Sequence, residues 1–215
     1  MIQKYNNNIE RIVIDVIKIP ENEREKTWIN MRSVNSLRDY LDDFGSALSL
    51  YEFCRTLRSI NPTNIDYMKW CSIAGRDGAM SMYHFSKVLF ETNFRDCDYL
   101  INIIKFDEIK KARRKFRETF PDVNHIRNAV AHQAENMKNK QQIEKHSFSG
   151  SKEIPGIRIN NSKNITISNT FIGNKFYYTF LRSIVCYELS AKTFSELVEI
   201  TKIYYSVFST QNKSK

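Results

Sequence analysis

From Ser33 onward, apolar positions recur every three or four residues: Leu37, Tyr40, Leu41, Phe44, Ala47, Leu48, Tyr51, Cys54 and Leu57 fall on one side of a helix for more than five turns. Asn61-Pro62-Thr63-Asn64 then supplies a stop and capping residues, so a second long helix is predicted over about 65–91. Met68, Cys71, Ala79, Met82, Phe85 and Leu89 form its apolar stripe, and Trp70, Ile73 and Ala74 widen it to most of the circumference, which marks a central helix. Gly75 and Gly78 each cost about 1 kcal/mol against Ala inside a helix, so a neighbour is expected to pack closely there.

The rest of the pattern is less uniform. Residues 9–19 fit a short helix by spacing, yet the β-branched run from Ile12 to Ile14 equally permits a strand. A basic helix is predicted over about 107–118. Pro121 and Asp122 open another, with Ile126, Ala129, Val130, Ala134 and Met137 as its buried side. Past Lys138 the chain turns polar and Asn-rich. Ile165–Ile167 and Thr170–Ile172 then alternate, Gly173-Asn174 offers a two-residue turn, and 175–180 returns as the second arm of a hairpin, with a third strand possible at 184–189. In that hairpin Phe176, Tyr178 and Phe180 should face the C-terminal helix, leaving Tyr177 and Thr179 outside. The last helix, about 191–208, is capped by Ser190. The expected architecture is mainly α: one domain over 1–215, a bundle of four to five main helices, with a small β-hairpin insertion at 145–190 before the C-terminal helix.

Composition changes this picture little. Apolar residues at 41% and charged residues at 27% are ordinary globular values, and only 6 Gly and 4 Pro argue against a turn-rich β design. The charge matters more. Lys and Arg total 33 against 24 Asp and Glu, a net +9 that attracts phosphates and raises encounter rates with nucleic acid. Six cations, Lys110, Lys111, Arg113, Arg114, Lys115 and Arg117, fall within eight residues. Lys110, Lys111, Arg113, Arg114 and Arg117 are the candidate RNA phosphate-binding set, beside the plainer reading of a solvated helix face.

Cys54, Cys71, Cys97 and Cys186 show no C-x2-C spacing, so neither a zinc framework nor disulfides are expected, and no metal ligands are assigned. The first eight residues lack the apolar core of a secretory signal, and no stretch of 18 apolar residues follows, so the chain reads as cytoplasmic with no membrane partner. There is no Gly-rich phosphate loop and no H-E-x-x-H motif. Asp77, Ser81 and His84 share a helix face, but without a G-x-S-x-G elbow they read as a polar network rather than a hydrolytic triad.

One segment carries sharper chemistry. Of the four histidines only His132 has an arginine, Arg127, five positions before it; Asn128 follows the arginine, and small apolar residues fill the gap. This segment, His125-Ile-Arg-Asn-Ala-Val-Ala-His132, resembles the Arg-x4-6-His signature of the HEPN superfamily, helical-bundle proteins found among toxins and defence proteins. The resemblance covers roughly 35–140 by organisation, and by specific residues only 127–132.

It implies metal-independent endoribonuclease activity without a cofactor, in a site shared by a homodimer, plausible in a bacterial toxin or defence role with an antitoxin or regulatory protein as partner. Carried over by position, Arg127 would hold the scissile phosphate, His132 would handle protons and Asn128 would position one or the other. The alternative is a non-catalytic HEPN-like dimerisation or nucleotide- or RNA-binding module. The chemistry asks for little else: an RNA 2′-hydroxyl attacks its own neighbouring phosphorus, so proton transfer and charge stabilisation suffice.

Helix geometry adds a constraint. On one continuous helix His125, Asn128 and His132 share a face, whereas Arg127 points about 140° from His132. Either the first turn is distorted or Arg127 meets a histidine of a second chain. His125 thereby becomes an auxiliary candidate, as do Arg76, Asp77 and His84 on the neighbouring helix.

Overall fold

The structure, a computed structural model, describes residues 4–208; the outermost residues of the expected 1–215 domain, 1–3 and 209–215, lie outside the described residues. The chain is mainly α, with two small antiparallel sheets before the last helix. α1 (Arg24–Ile60) and α2 (Ile65–Glu91) form an antiparallel hairpin around which the rest is built. Val34, Leu37, Leu41, Phe44, Leu48, Tyr51 and Cys54 of α1 are buried at the predicted spacing. α1 begins nine residues before the sequence signal: Thr27 and Met31 continue the buried stripe, but exposed Trp28 and Ile29 (61% and 54% accessible) mask it. Asn64 caps α2, its Oδ1 accepting from the Asp66 amide at 2.9 Å.

Residues 9–19 are neither helix nor strand. They run extended to a single 3-10 turn at Val16–Lys18, and the Asn35 side chain serves both the Ile12 amide (2.8 Å) and its carbonyl (3.0 Å), replacing the ladder that a strand would need. Beyond α2 come a short α3 (Asp98–Ile103) and the basic helix α4 (Phe106–Thr119), which buries Ile109, Ala112 and Phe116 at i, i+3 and i+7. α5 (Val123–Ala131) follows, then short α6 (Gln133–Asn136) and α7 (Lys140–His146). α8 (Ala191–Tyr205), capped by Ser190, packs on α4 and α1.

The β insertion is larger than one hairpin. β1 (Phe148–Ile154) and β2 (Ile157–Ile165) form one two-stranded sheet; β3 (Thr170–Ile172), β4 (Lys175–Phe180) and β5 (Ser183–Glu188) form a second. The β3–β4 turn uses Gly173 at φ +59°, and its carbonyl is held by the Tyr51 hydroxyl of α1. Two expectations for this region are corrected. β4 lies against α5, and Phe176 drives into α2 rather than against the C-terminal helix: a Cβ at Gly75 would sit 2.6 Å from its ring, and one at Gly78 2.7 Å from the Tyr187 hydroxyl oxygen. That is the close neighbour the two glycines call for. Tyr177 and Thr179 do alternate to the opposite face, but they are buried there, because the β1–β2 ribbon covers it with Ile154 and Ile159.

Candidate functional site

The site is made by a break in a helix that contains neither glycine nor proline. The His132 amide still donates to the Asn128 carbonyl at 3.1 Å, but His132 itself has φ −108° and ψ 21°, outside the helical basin, and α6 departs from it. This break, at the C-terminal end of α5 and not in its first turn, removes the angular conflict of a continuous helix. Arg127 and His132 meet within one chain, with Nη1 and Nε2 3.4 Å apart. The same break leaves Ala134 and Met137 exposed, which corrects the expectation that they continue the buried side.

Donor and acceptor chemistry fixes the imidazole. A guanidinium only donates, so Nε2 facing Arg127 must be the unprotonated nitrogen; a carboxylate only accepts, so Nδ1, 2.8 Å from Glu135 Oε2, must carry the hydrogen. Asn128 Oδ1 takes a second hydrogen of Arg127 Nη1 at 2.8 Å. Tyr83 of α2 supplies a floor: the guanidinium lies over its ring, 4.5 Å from the centroid. Arg127 Nε is buried with no acceptor, and among the described residues no carboxylate pairs with Arg127. An arginine stored without its anion is a group in want of one.

Behind His132 runs a polar strut to the sheets. Gln133 Oε1 accepts from Asn169 Nδ2 at 3.2 Å, Asn169 Oδ1 accepts from the Tyr178 hydroxyl, and the Asn169 carbonyl accepts from Ser72 Oγ of α2 at 3.2 Å. Burial pushes the Tyr178 phenol up to about 12, opposed by the charge of Arg76, so the phenol stays a hydrogen-bond donor.

The remaining candidates scatter. His125 turns to Asp122 (Nδ1 to Oδ1 3.9 Å) and to the Phe180 ring, so the shared face with His132 is lost with the continuous helix. His84 stacks on Tyr40 of α1, at 5.4 Å and 23°, in a cleft also lined by Asp77 and Asp43, on the side of α2 that faces α1. Ser81 Oγ donates to the Asp77 carbonyl, not to a carboxylate, so no triad forms. On α4, Lys110, Lys111 and Arg114 point outward and pair with Asp107, Glu108 and Glu118 of their own helix. Lys115 ties α4 to Glu196 and Glu199 of α8. Arg113 Nε donates to the Leu89 carbonyl at 2.7 Å, closing the C-terminus of α2, and Arg117 lies over the Phe90 ring at 4.7 Å.

Glu135 and Tyr83 are the site residues that sequence reasoning missed. An i, i+3 carboxylate after His132 was readable on a helix turn, whereas Tyr83 is 44 positions from Arg127 and only tertiary packing joins them. All four cysteines are free, and burial beside Cys71 pushes the Cys54 thiol up to about 11. Among the described residues no three His, Cys, Asp or Glu side chains gather as a metal site, and no helix is long and apolar enough to cross a membrane. No family model, no curated protein and no solved structure matches the chain.

Proposed function

We propose that the protein cleaves RNA by internal transesterification, without a metal, at the Arg127–His132 pair. The observation that supports this most is the contact itself: an unpaired guanidinium beside an imidazole whose free nitrogen faces it and whose other nitrogen is held by Glu135. Arg127 donates from Nη2 to a non-bridging oxygen of one phosphodiester, while Asn128 holds Nη1 and keeps the guanidinium from swinging. His132 Nε2 takes the proton of the 2′-hydroxyl as that oxygen bonds to phosphorus. The imidazolium then returns a proton to the departing 5′-oxygen as the P–O5′ bond breaks, leaving a 2′,3′-cyclic phosphate and a 5′-hydroxyl. Glu135 fixes the tautomer and stabilises the transient imidazolium, a positioning role.

The HEPN resemblance adds the homodimer, the toxin or defence context and an antitoxin or regulatory partner to this reading. The Arg127–His132 contact that supports this reading lies within one chain.

The test is purified protein incubated with RNA in excess EDTA. The expected result is fragments ending in 2′,3′-cyclic phosphate, abolished by His132→Ala, a substitution at a half-exposed position that should leave the circular dichroism spectrum and melting temperature unchanged. RNA binding without cleavage by the wild type would replace this reading with the non-catalytic binding module.

A further inference from the structure

A groove of ≈ 550 Å³ runs beside the site between α2 on one wall and α4 with the start of α5 on the other. It joins the site at two points. Asn124 lines it one turn before Arg127 on α5, and Lys87 lines it one turn after Tyr83 on α2, with Nζ 5.6 Å from the centroid of the same Tyr83 ring that carries Arg127. Its charged lining is Lys87, Arg113 and Arg117 against the single carboxylate Glu91, which pairs with Lys87. Between the cations lie Phe90 and Phe120, half-buried, with the Arg117 guanidinium over the Phe90 ring, 4.7 Å from its centroid.

We propose that this groove seats the single-stranded RNA flanking the cleaved linkage, with backbone phosphates on Lys87 and Arg117. The inference rests on the cleavage reading for its polynucleotide, and the groove's own chemistry supplies the rest. Cations alternating with aromatic rings along a channel bind a strand by phosphate contact and stacking, independent of sequence. Arg117, held in place by Phe90 beneath it, offers an outer plane to a base and edge hydrogens to a phosphate. The stretch of α2 from Tyr83 to Phe90 spans on the order of 10 Å, which places a second phosphate beyond the one at Arg127. A double helix keeps its bases stacked inward and cannot lay one into a narrow concave lining. Lys110, Lys111 and Arg114 lie off this path, outside the lining of the groove.

The experiment uses the full chain carrying His132→Ala, so that RNA persists, and a labelled single-stranded oligoribonucleotide read by fluorescence anisotropy across a salt series. Adding Lys87→Gln and Arg117→Gln should weaken binding at least tenfold and flatten the slope of log affinity against log salt by about 1.4, since each single-strand phosphate contact contributes about 0.7. Arg158→Gln with Lys163→Gln, an equal charge change on the β1–β2 ribbon, should move affinity less than threefold. Equal losses in both pairs, no loss in the first, or a duplex of the same length binding as tightly would overturn the groove. Cleavage is scored separately with His132 restored: a chain that binds with the expected slope but never cuts refutes the cleavage reading alone, and one that cuts with groove substitutions silent refutes the groove alone.

Discussion

Arg113 and Arg127 differ in what the fold asks of them, and the difference separates scaffold from site. Both are half-buried and both pack on an aromatic ring, Phe90 for one and Tyr83 for the other. Arg113, in the middle of the strongest basic run in the sequence, has Nε on the Leu89 carbonyl and Nη2 within 3.5 Å of the Thr92 carbonyl, so its donors close a helix end. Arg127, in a segment with little other charge, has a buried Nε with no acceptor and shares Nη1 between Asn128 and His132. Charge density along the chain points to the first; unspent hydrogen-bonding capacity points to the second. A binding arginine is recognised by what it lacks.

Arg-to-Lys exchange at each position tests this contrast most severely. At Arg127 a lysine keeps the charge but loses the planar fork, so RNA cleavage should fall on the order of 10²–10³-fold while the melting temperature holds. At Arg113 the same exchange should lower stability with kcat unchanged. Unfolding of Arg127→Lys, or lost turnover in a stable Arg113→Lys, would erase the distinction. A sharper version is Arg113→Met, which preserves much of the packing on Phe90 but leaves the C-terminal carbonyls of α2 without a donor. Loss of a hydrogen bond from a charged group predicts about 2 kcal/mol of destabilisation, read as a lower urea midpoint at unchanged m.

The two arginines also show what a sequence can carry. α1 and α4 are legible because each buries one stripe at helical spacing, from Val34 to Cys54 in the first, whereas α2 is legible in extent but not in its buried width, since Met68, Trp70 and Ile73 are exposed. The β1–β2 ribbon is not legible, since both its strands are mostly exposed and only Ile154 and Ile159 mark the side that covers Tyr177. Without that cover, alternation alone sends Tyr177 and Thr179 to solvent. At the site, the five-residue interval from Arg127 to His132 is legible, but spacing alone implies a straight helix. No glycine or proline announces the turn at His132, and without that turn neither the contact with Arg127 nor the approach of Glu135 follows from spacing.

Glu135 gives the next largest effect. Glu135→Gln keeps the shape but offers His132 Nδ1 a neutral partner that can also present its amide, so the tautomer is no longer fixed. Cleavage should fall about tenfold, in kcat more than in KM. An unchanged kcat would reduce Glu135 to an exposed surface contact.

A pair of histidines repeats the contrast on a smaller scale. His132 is half-exposed and bonded at both nitrogens, whereas His146 is buried on the Phe180 ring with Nδ1 unpartnered. Burial first, and the charge of Lys145 second, lower the His146 pKa below its ordinary 6.5. The fold therefore binds fewer protons than the unfolded chain near that pH. Stability is full above about 6.5 and declines as pH falls below it, toward the lowered value in the fold. Urea midpoints at pH 7.5 and 5.5 should show the decline in wild type and a reduced one in His146→Phe.

The smallest effect belongs to the residues that look most like an RNA-binding surface in the sequence. Lys110, Lys111 and Arg114 are exposed, and each is within 4.0 Å of a carboxylate three or four positions along α4. Exposed pairs of that kind hold their partners weakly, so their neutralisation to Gln should change stability by less than about 1 kcal/mol. Under the proposed function their contribution to RNA affinity should be that of a general positive field, screened over about 8 Å at physiological salt. The triple variant should bind RNA within threefold of wild type at that salt and cut it at the same rate, with a difference that emerges only at low ionic strength. A tenfold loss at physiological salt would shift the nucleic-acid path onto the outer face of α4 and away from the groove at Arg117.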